Sequence, residues 1–562
     1  MQQTPIKAAI PDSRGTNLYR ADRDAAALFA YYLPDDLFSH LAPHFDRLGA
    51  LAGDHLDRLA DIADKNPPTL STRHRTGEDC DVVEKHPAYV ELERIAYSEF
   101  GLAALSHRGG VLGWPEPMPA AAKYALTYLF VQAEFGLCCP VSMTDSLTRT
   151  LNKFGEPGLV ARFFDRLTSL DFDELFQGAM FMTEQAAGSD VSATTTRAEL
   201  QPNGSWRLFG DKWFCSNAGA DLAMVLARSE TAPGLKGISL FLLPKTRSDG
   251  LPNDFRILRL KDKLGTRSMA SGEVCLGGAE AYLVGERGRG FKHMADMINN
   301  SRLSNGMRAA GLMRRATTEA LFIAGRREAF GRRLIELPLM RRQLAKMLVW
   351  TEQARTMMFL TADALHRANG GNAAGAQLAR ILTPLIKFRA CRDARRVTGD
   401  AMEVRGGCGY IEEWSDPRLV RDSHLGSIWE GTSNIVALDV MRAISRDGAL
   451  APLHDHLLEM LGEIGLDVAG QAPFERCIEA ATGLAREVAA TDNATLARQA
   501  ASGLYHITTA IGLAREAAKA KLPHRLALAC LVLQHRLQPR DPLAAQCDND
   551  LIDIVLKSAA IN

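Results

Sequence analysis

Twice in this 562-residue chain the spacing of apolar residues changes, and that switch limits the folds available to it. From about residue 22 to 178 the stretches DAAALFAYYL, LFSHLAPHFDRLGALAG and AAAKYALTYLFVQAEFGL repeat apolar residues every three or four positions, which predicts amphipathic helices. Pro and Gly punctuate them in DKNPPTL and GWPEPMP. From residue 179 to about 282 the runs shorten to GAMFMTE, SWRLFGDKWFCS, LAMVLARS, GISLFLLP and GEVCLGG, bounded by Gly, Asn and Pro, which predicts strands. Helical spacing returns at GFKHMADMI and continues through RRQLAKMLVWTEQARTMMFLTADALHRA and LARILTPLIKFRACRDARRVTGDAMEV. A further helical segment follows residue 445, with GLDVAGQAPFE reading as a break within it. The expectation is a mainly α protein with a central β domain, divided as 1–178 (helical), 179–282 (β barrel), 283–445 (helical) and 446–562 (extra helical domain), without a solenoid repeat.

A chain of this length suggests several cores, and 46% hydrophobic with 23% charged residues is the composition of a globular protein. Lys plus Arg equals Asp plus Glu at 66 each, so no global charge argues for a nucleic-acid coat or a membrane surface. The start, MQQTPIKAAIPDSRG, lacks a secretory pattern and no apolar run reaches a bilayer-spanning length, so a cytoplasmic location is expected. The ten cysteines, Cys547 among them, form no CxxC pair and have no histidines at ligand spacing; reduced thiols without a metal are expected.

Five stretches carry candidate chemistry. MTEQAAGSD (182–190) offers hydroxyls at Thr183 and Ser189 and a close backbone approach at Gly188, suited to a ring rich in acceptors or a phosphate. In DKWFCSN (211–217) alternation puts Phe214 and Ser216 on one side of a strand. RREAFGRRL gathers four arginines around Phe-Gly, and such forks grip pyrophosphate. EVRGGCGY presents the bare backbone of Gly406 and Gly407. SIWEGTSN isolates Glu430 between a Trp and a Gly, either an exposed loop charge or a desolvated base. Taken singly, the first four also fit an ordinary turn, a core aromatic pair, a solvated helix end and a helix-terminal turn.

In this order the five resemble the acyl-CoA dehydrogenase family, flavoenzymes with an α-helical, β-barrel, α-helical fold, over residues 90 to 445. TNLYRAD, DKNPPTL, EKHPAYV, SATTTRAEL, RLKDKLGTRSMAS and the helical tail are similar to its AidB-like branch, which is associated with the alkylation response and with isovaleryl-CoA. The resemblance implies FAD as cofactor. It implies that Met182 and Thr183 meet the flavin ring, that Ser189 with Gly188 contacts a phosphate-bearing ligand (FAD or CoA), and that Phe214 and Ser216 stand where many members have a Trp and a Thr. It further implies that Arg327, Gly406 and Gly407 hold the pyrophosphate of a neighbouring subunit's FAD, and that Trp429, Thr432 and Asn434 line the flavin. A shared site implies at least a dimer, with the family's tetramer as the expectation. Two positions depart from the pattern: Pro338 stands where many relatives have a Gln, and Ser301 before Arg302 stands where some branches keep the catalytic Glu, leaving Glu430 as the family-matched base.

Two functions are therefore open. One is an acyl-CoA dehydrogenase in which Glu430 takes the α-proton and flavin N5 the β-hydride, with an electron-transfer flavoprotein as acceptor. The other is an alkylation-stress protein of weak dehydrogenase activity that binds double-stranded DNA through its tail. From Arg446 on, the tail holds 11 Lys plus Arg against 14 Asp plus Glu, a net −3, although Lys519, Lys521, Arg525, Arg536 and Arg540 can form a local stripe.

Overall fold

The structure is a computed structural model that describes residues 10–202, 204–545 and 548–561; the chain start and Cys547 lie outside the described residues. Helices dominate up to Leu167, a seven-stranded sheet follows, and helices resume at Gly290. Spatially the strands run Gly178–Phe181, Trp206–Ser216, Arg197–Leu200, Leu222–Arg228, Ile238–Pro244, Ser271–Val284, Phe255–Leu260. Added pairings of the first with the fourth and of the second with the sixth close the ladder on itself, leaving Phe255–Leu260 paired on one side only within the sheet. The strand Phe255–Leu260 was not among the runs expected from sequence.

Beyond the sheet stand three long helices, Gly290–Arg326, Pro338–Asn369 and Ala373–Arg405, buried along most of their inner faces. One hydrophobic core runs from the first helices through these three into the tail, joining Phe29, Phe45, Leu126, Leu312, Phe359, Ile386, Leu504 and Ile511. A second core, with Leu208, Val225, Phe241 and Val274, fills the interior of the sheet.

Two expectations are corrected. The N-terminal region is not purely helical: Thr69–Arg73 and Asp79–Glu84 pair as an antiparallel hairpin. It docks on the sheet through Arg256, whose Nη1–H donates to Asp79 (2.9 Å), and through Asp81, which accepts from the Ile257 N–H (2.9 Å). Nor does GLDVAGQAPFE break the tail along its whole length. A helix starts at Val468, capped by Asp467 accepting from the Gly470 N–H (2.8 Å), and carries Pro473 within it to Ala490.

The tail is locked in place by charge. Arg525, 0% exposed, donates to Glu516 (2.7 and 2.9 Å), Asp24 (2.9 Å) and Glu352 (2.6 Å), while Tyr32 Oη–H also donates to Glu516 (2.8 Å). Arg525 therefore drops out of the basic stripe expected from sequence. The nine described cysteines are free thiols. Among the described residues no helix is long and apolar enough to cross a membrane, and no His/Cys/Asp/Glu group is arranged to hold a metal.

Candidate active site

Glu430 ends a short turn between the helices Ser415–Gly426 and Ser433–Ser445. Its φ of 53° lies in the left-handed region and Gly431 follows at 99°, so the chain reverses sharply at the carboxylate. The turn is held from outside. Arg302 Nε–H donates to the Glu430 carbonyl (3.0 Å) while its Nη1–H donates to Asp439 (2.7 Å), and the Lys387 ammonium donates to the Gly431 carbonyl. No acceptor lies within hydrogen-bonding reach of the Glu430 N–H among the described residues.

Around the carboxylate, helix geometry sorts the neighbours. Ser301, Asn305 and Arg308 fall at i, i+4 and i+7, one face of Gly290–Arg326, and are 3%, 1% and 1% exposed. Ser301 favours the ionised form of Glu430, and the Arg308 guanidinium lies 4.6 Å from the centre of the Trp429 ring. Phe135 stacks on Trp429 at 6.2 Å between ring centres. Burial pushes the Glu430 carboxyl above its ordinary range, against the opposing pull of Arg302, Ser301, Lys387 and Arg308. Burial likewise pulls the Lys387 ammonium down to about 8. Glu430 Oε2 and Trp429 Nε1 are buried without a hydrogen-bond partner. Buried polar atoms left open in this way call for a partner, and two of them adjoin at this turn.

The sheet supplies a second wall. Met180 pairs across with Ser216, and the Trp213 N–H donates to the Thr183 carbonyl (2.8 Å), so Met182, Thr183, Phe214 and Ser216 meet at one edge. Phe214 is 58% exposed while Cys215 beside it is fully buried, leaving the aromatic face open. Ser216 pairs with Ser271, whose hydroxyl accepts from Lys263 (3.1 Å), and burial pulls that ammonium to about 8. The segment after Lys263 is tied to the helix that leads into the Glu430 turn, the Thr266 N–H donating to Asp422 of Ser415–Gly426 (2.6 Å).

Gly188 and Ser189 are exposed on a loop anchored by Glu184. That carboxylate accepts from Lys212 (2.7 Å), from the Thr195 N–H (2.7 Å) and from the Thr196 hydroxyl (2.6 Å). Burial alone would raise its pKa; Lys212 and these donors reverse the effect and bring it to about 2. Thr432 and Asn434 are exposed at the N-terminus of Ser433–Ser445.

Arg327, Gly406 and Gly407 form a separate cluster. Arg327 Nη1–H donates to the Arg405 carbonyl (2.8 Å), and a Cβ on Gly406, at φ 74°, would stand 3.4 Å from that nitrogen. This cluster sits beyond the C-terminal end of Gly290–Arg326, whereas Arg302 holds Glu430 near its start. Arg302 and Arg326 are about 36 Å apart along the helix axis. Asn305, Arg308, Lys387 and the Glu184–Lys212 pair were not singled out from sequence. For Asn305, Arg308 and Lys387 the signal, a polar residue in an otherwise apolar helix, exists but does not say which face is buried; Glu184 lies on a loop and Lys212 on a strand, where no such signal marks them.

With this geometry in place, comparison with known proteins identifies the relationship. Three family profiles match in succession: the adaptive response protein AidB N-terminal domain over residues 9–174, the acyl-CoA dehydrogenase middle domain over 179–278, and the acyl-CoA dehydrogenase C-terminal domain over 288–445. The putative acyl-CoA dehydrogenase AidB of Escherichia coli is 36% identical over 454 residues, covering 78% of this chain and 79% of its own. The chain belongs to the acyl-CoA dehydrogenase family. Acyl-CoA dehydrogenase family member 11 of Caenorhabditis elegans is 30% identical over 458 residues, covering 79% of this chain and 74% of that protein. The crystal structure of C. elegans ACDH-11 in complex with C11-CoA superposes with a TM-score of 0.88 at 26% identity, covering 96% and 95% of the two chains. FAD is the cofactor of this acyl-CoA dehydrogenase relationship. The residues present fit it: an open aromatic face at Phe214, unpartnered Trp429 Nε1 and Glu430 Oε2, and a side-chain-free backbone at Gly406 and Gly407 beside Arg327.

Proposed function

We propose that the chain is an FAD-dependent acyl-CoA dehydrogenase whose base is Glu430 and whose product is a trans-2-enoyl-CoA. The observation that carries this reading is Glu430 Oε2, buried, unpartnered and fixed on a left-handed turn by Arg302. An α-proton of a thioester is only weakly acidic, and a carboxylate stripped of water is basic enough to take it. Phe135 and Trp429 exclude water on one side of the base. The Glu430 N–H would donate to the thioester carbonyl and stabilise negative charge developing there.

Met182, Thr183, Phe214, Ser216, Trp429, Thr432 and Asn434 would hold the flavin ring, with Gly188 and Ser189 toward a phosphate-bearing ligand. FAD supplies the two-electron acceptor for the β-hydrogen, with an electron-transfer flavoprotein as the onward acceptor. The pyrophosphate would rest on Arg327, Gly406 and Gly407 of a neighbouring copy. The distance of about 36 Å along Gly290–Arg326 supports that assignment, because one cofactor cannot reach both ends within a single chain. Phe330 (94% exposed), Leu339 (83%) and Tyr410 (79%) beside that cluster form an apolar patch suited to a second copy, in a dimer or the tetramer.

An acyl-CoA thioester as substrate class is in keeping with the C11-CoA complex of the C. elegans relative. Anaerobic titration of FAD-loaded protein with straight-chain acyl-CoAs and isovaleryl-CoA tests the reading: flavin absorbance bleaches, and Glu430→Gln abolishes bleaching. Failure of every acyl-CoA to bleach bound FAD would overturn it.

A second reading, binding of double-stranded DNA, is favoured by one observation. A cavity of about 230 Å³ at the seam of tail and catalytic helices is ringed by Lys346, Arg396, Arg536 and Arg540, with Arg342 paired to Asp548. Retardation of duplex by the full-length protein that weakens steeply with salt, and is lost in Lys346→Glu/Arg396→Glu, would support it. No retardation at low salt removes it.

A further inference from the structure

Arg308 is a buried cation without an ion-pair partner, although the Glu430 carboxylate feels its charge from farther away. It is 1% exposed, yet no carboxylate stands within ion-pairing distance of it among the described residues. Its Nε–H makes one long bond to the Ser304 carbonyl of its own helix (3.4 Å), and its Nη1 is buried with no acceptor. The guanidinium lies over two aromatic faces, 4.6 Å from the centre of Trp429 and 5.6 Å from that of Phe135. Stacking recovers part of the cost of burying a cation, but ring faces do not accept its N–H groups as a carboxylate does.

One turn earlier on the same face, Asn305 is equally open. It is 1% exposed, and neither its Oδ1 nor its Nδ2 has a partner. Its backbone is fixed from the neighbouring helix by the Cys391 thiol, which donates to its carbonyl (3.6 Å). A donor-rich fork and an amide therefore stand side by side, beside the ring of the residue preceding the base.

A hydrocarbon chain entering here would leave all of these groups unpaired, which is costly in a dry site. A short acyl group ending in a carboxylate would pair with the fork and accept from the amide. We propose that Arg308 and Asn305 are the distal subsite of the acyl pocket and select acyl-CoA thioesters whose short acyl group ends in a carboxylate. This rests on the dehydrogenase reading above and adds the substrate class.

The test compares glutaryl-CoA, hexanoyl-CoA and undecanoyl-CoA with FAD-loaded protein, by anaerobic bleaching and by calorimetric binding. Expected is half-maximal bleaching at a concentration about tenfold or more lower for glutaryl-CoA than for hexanoyl-CoA, the size of one charge-assisted contact. Arg308→Met should remove or invert that preference, Arg308→Lys should restore part of it, and Asn305→Leu should weaken glutaryl-CoA more than hexanoyl-CoA. Preference of the native protein for hexanoyl- or undecanoyl-CoA overturns the proposal. So does Arg308→Met acting equally on all three, or altering only the flavin spectrum, since the guanidinium would then serve the cofactor. If nothing bleaches the flavin, the dehydrogenase reading fails and calorimetry decides this one: Arg308-dependent binding of glutaryl-CoA upholds it, and equal binding of all three overturns it.

Discussion

Arg302 joins the backbone of Glu430 to the carboxylate of Asp439, donating to the first at 3.0 Å and to the second at 2.7 Å. Glu430 thus stands on a turn whose left-handed backbone is braced by an ion pair from two other helices. Arg302→Gln should release that turn while leaving Asp439 its second partner, Arg380 (2.8 Å). Expected is a fall in kcat of about tenfold or more with little change in Tm, checked by steady-state kinetics and thermal melts.

With Glu430 as the proposed base, its ionisation should set the acid limb of activity. Its carboxyl lies above the ordinary range because it is buried, so the rate should rise with pH through that raised value as the base ionises. Ser301→Ala removes a donor that favours the ionised form, and the limb should move to higher pH. Glu430→Gln should lower kcat/KM by about 10²–10⁴-fold on the plateau above that limb and remove the limb itself. Profiles of kcat/KM for the three proteins check this.

Lys212 is 1% exposed and its partner Glu184 also binds the backbone of the 195–196 segment. Lys212→Met strands the carboxylate in the interior and should cost about 3–5 kcal/mol. Glu184→Gln/Lys212→Met should recover part of that loss, which denaturant unfolding of the three variants measures.

Asp422 opposes stability at neutral pH. Burial, then Glu134 and Asp64, lift its carboxyl from 3.8 to about 7, so the folded state holds a proton that the unfolded chain releases between those values. Its contribution is fully present below the unfolded pKa and is lost as pH rises toward 7. Asp422→Asn keeps an acceptor for the Thr266 N–H, which donates to Oδ1 at 2.6 Å. The variant should melt higher than the native protein at pH 8, with the gap closing toward pH 4.

The order helix, barrel, helix was legible because a period of two and a period near 3.6 differ over a few residues. The hairpin Thr69–Arg73 with Asp79–Glu84 was not, because both strands are mostly exposed and polar and show no apolar alternation. Glu430 stood out through its neighbours Trp429 and Gly431. Arg308 and Asn305 did not, since a polar residue in a helix looks the same in sequence whether it faces solvent or a pocket. Arg525 shows the same limit in reverse. Beside Lys519 and Lys521 it reads as surface charge, and only the arrival of Asp24 and Glu352 from distant segments, joining Glu516 of the preceding helix, makes it interior.

That last cluster bears on how the protein is made. Asp24 and Glu352 are synthesised well before Arg525; at about 5–20 residues per second Glu352 precedes it by roughly 9–35 s. During that interval the first helices and the central bundle lack the cation that fastens them to the tail. The growing polypeptide is therefore sealed from its far end, and a product terminated anywhere before Arg525 leaves the ribosome with its seam open.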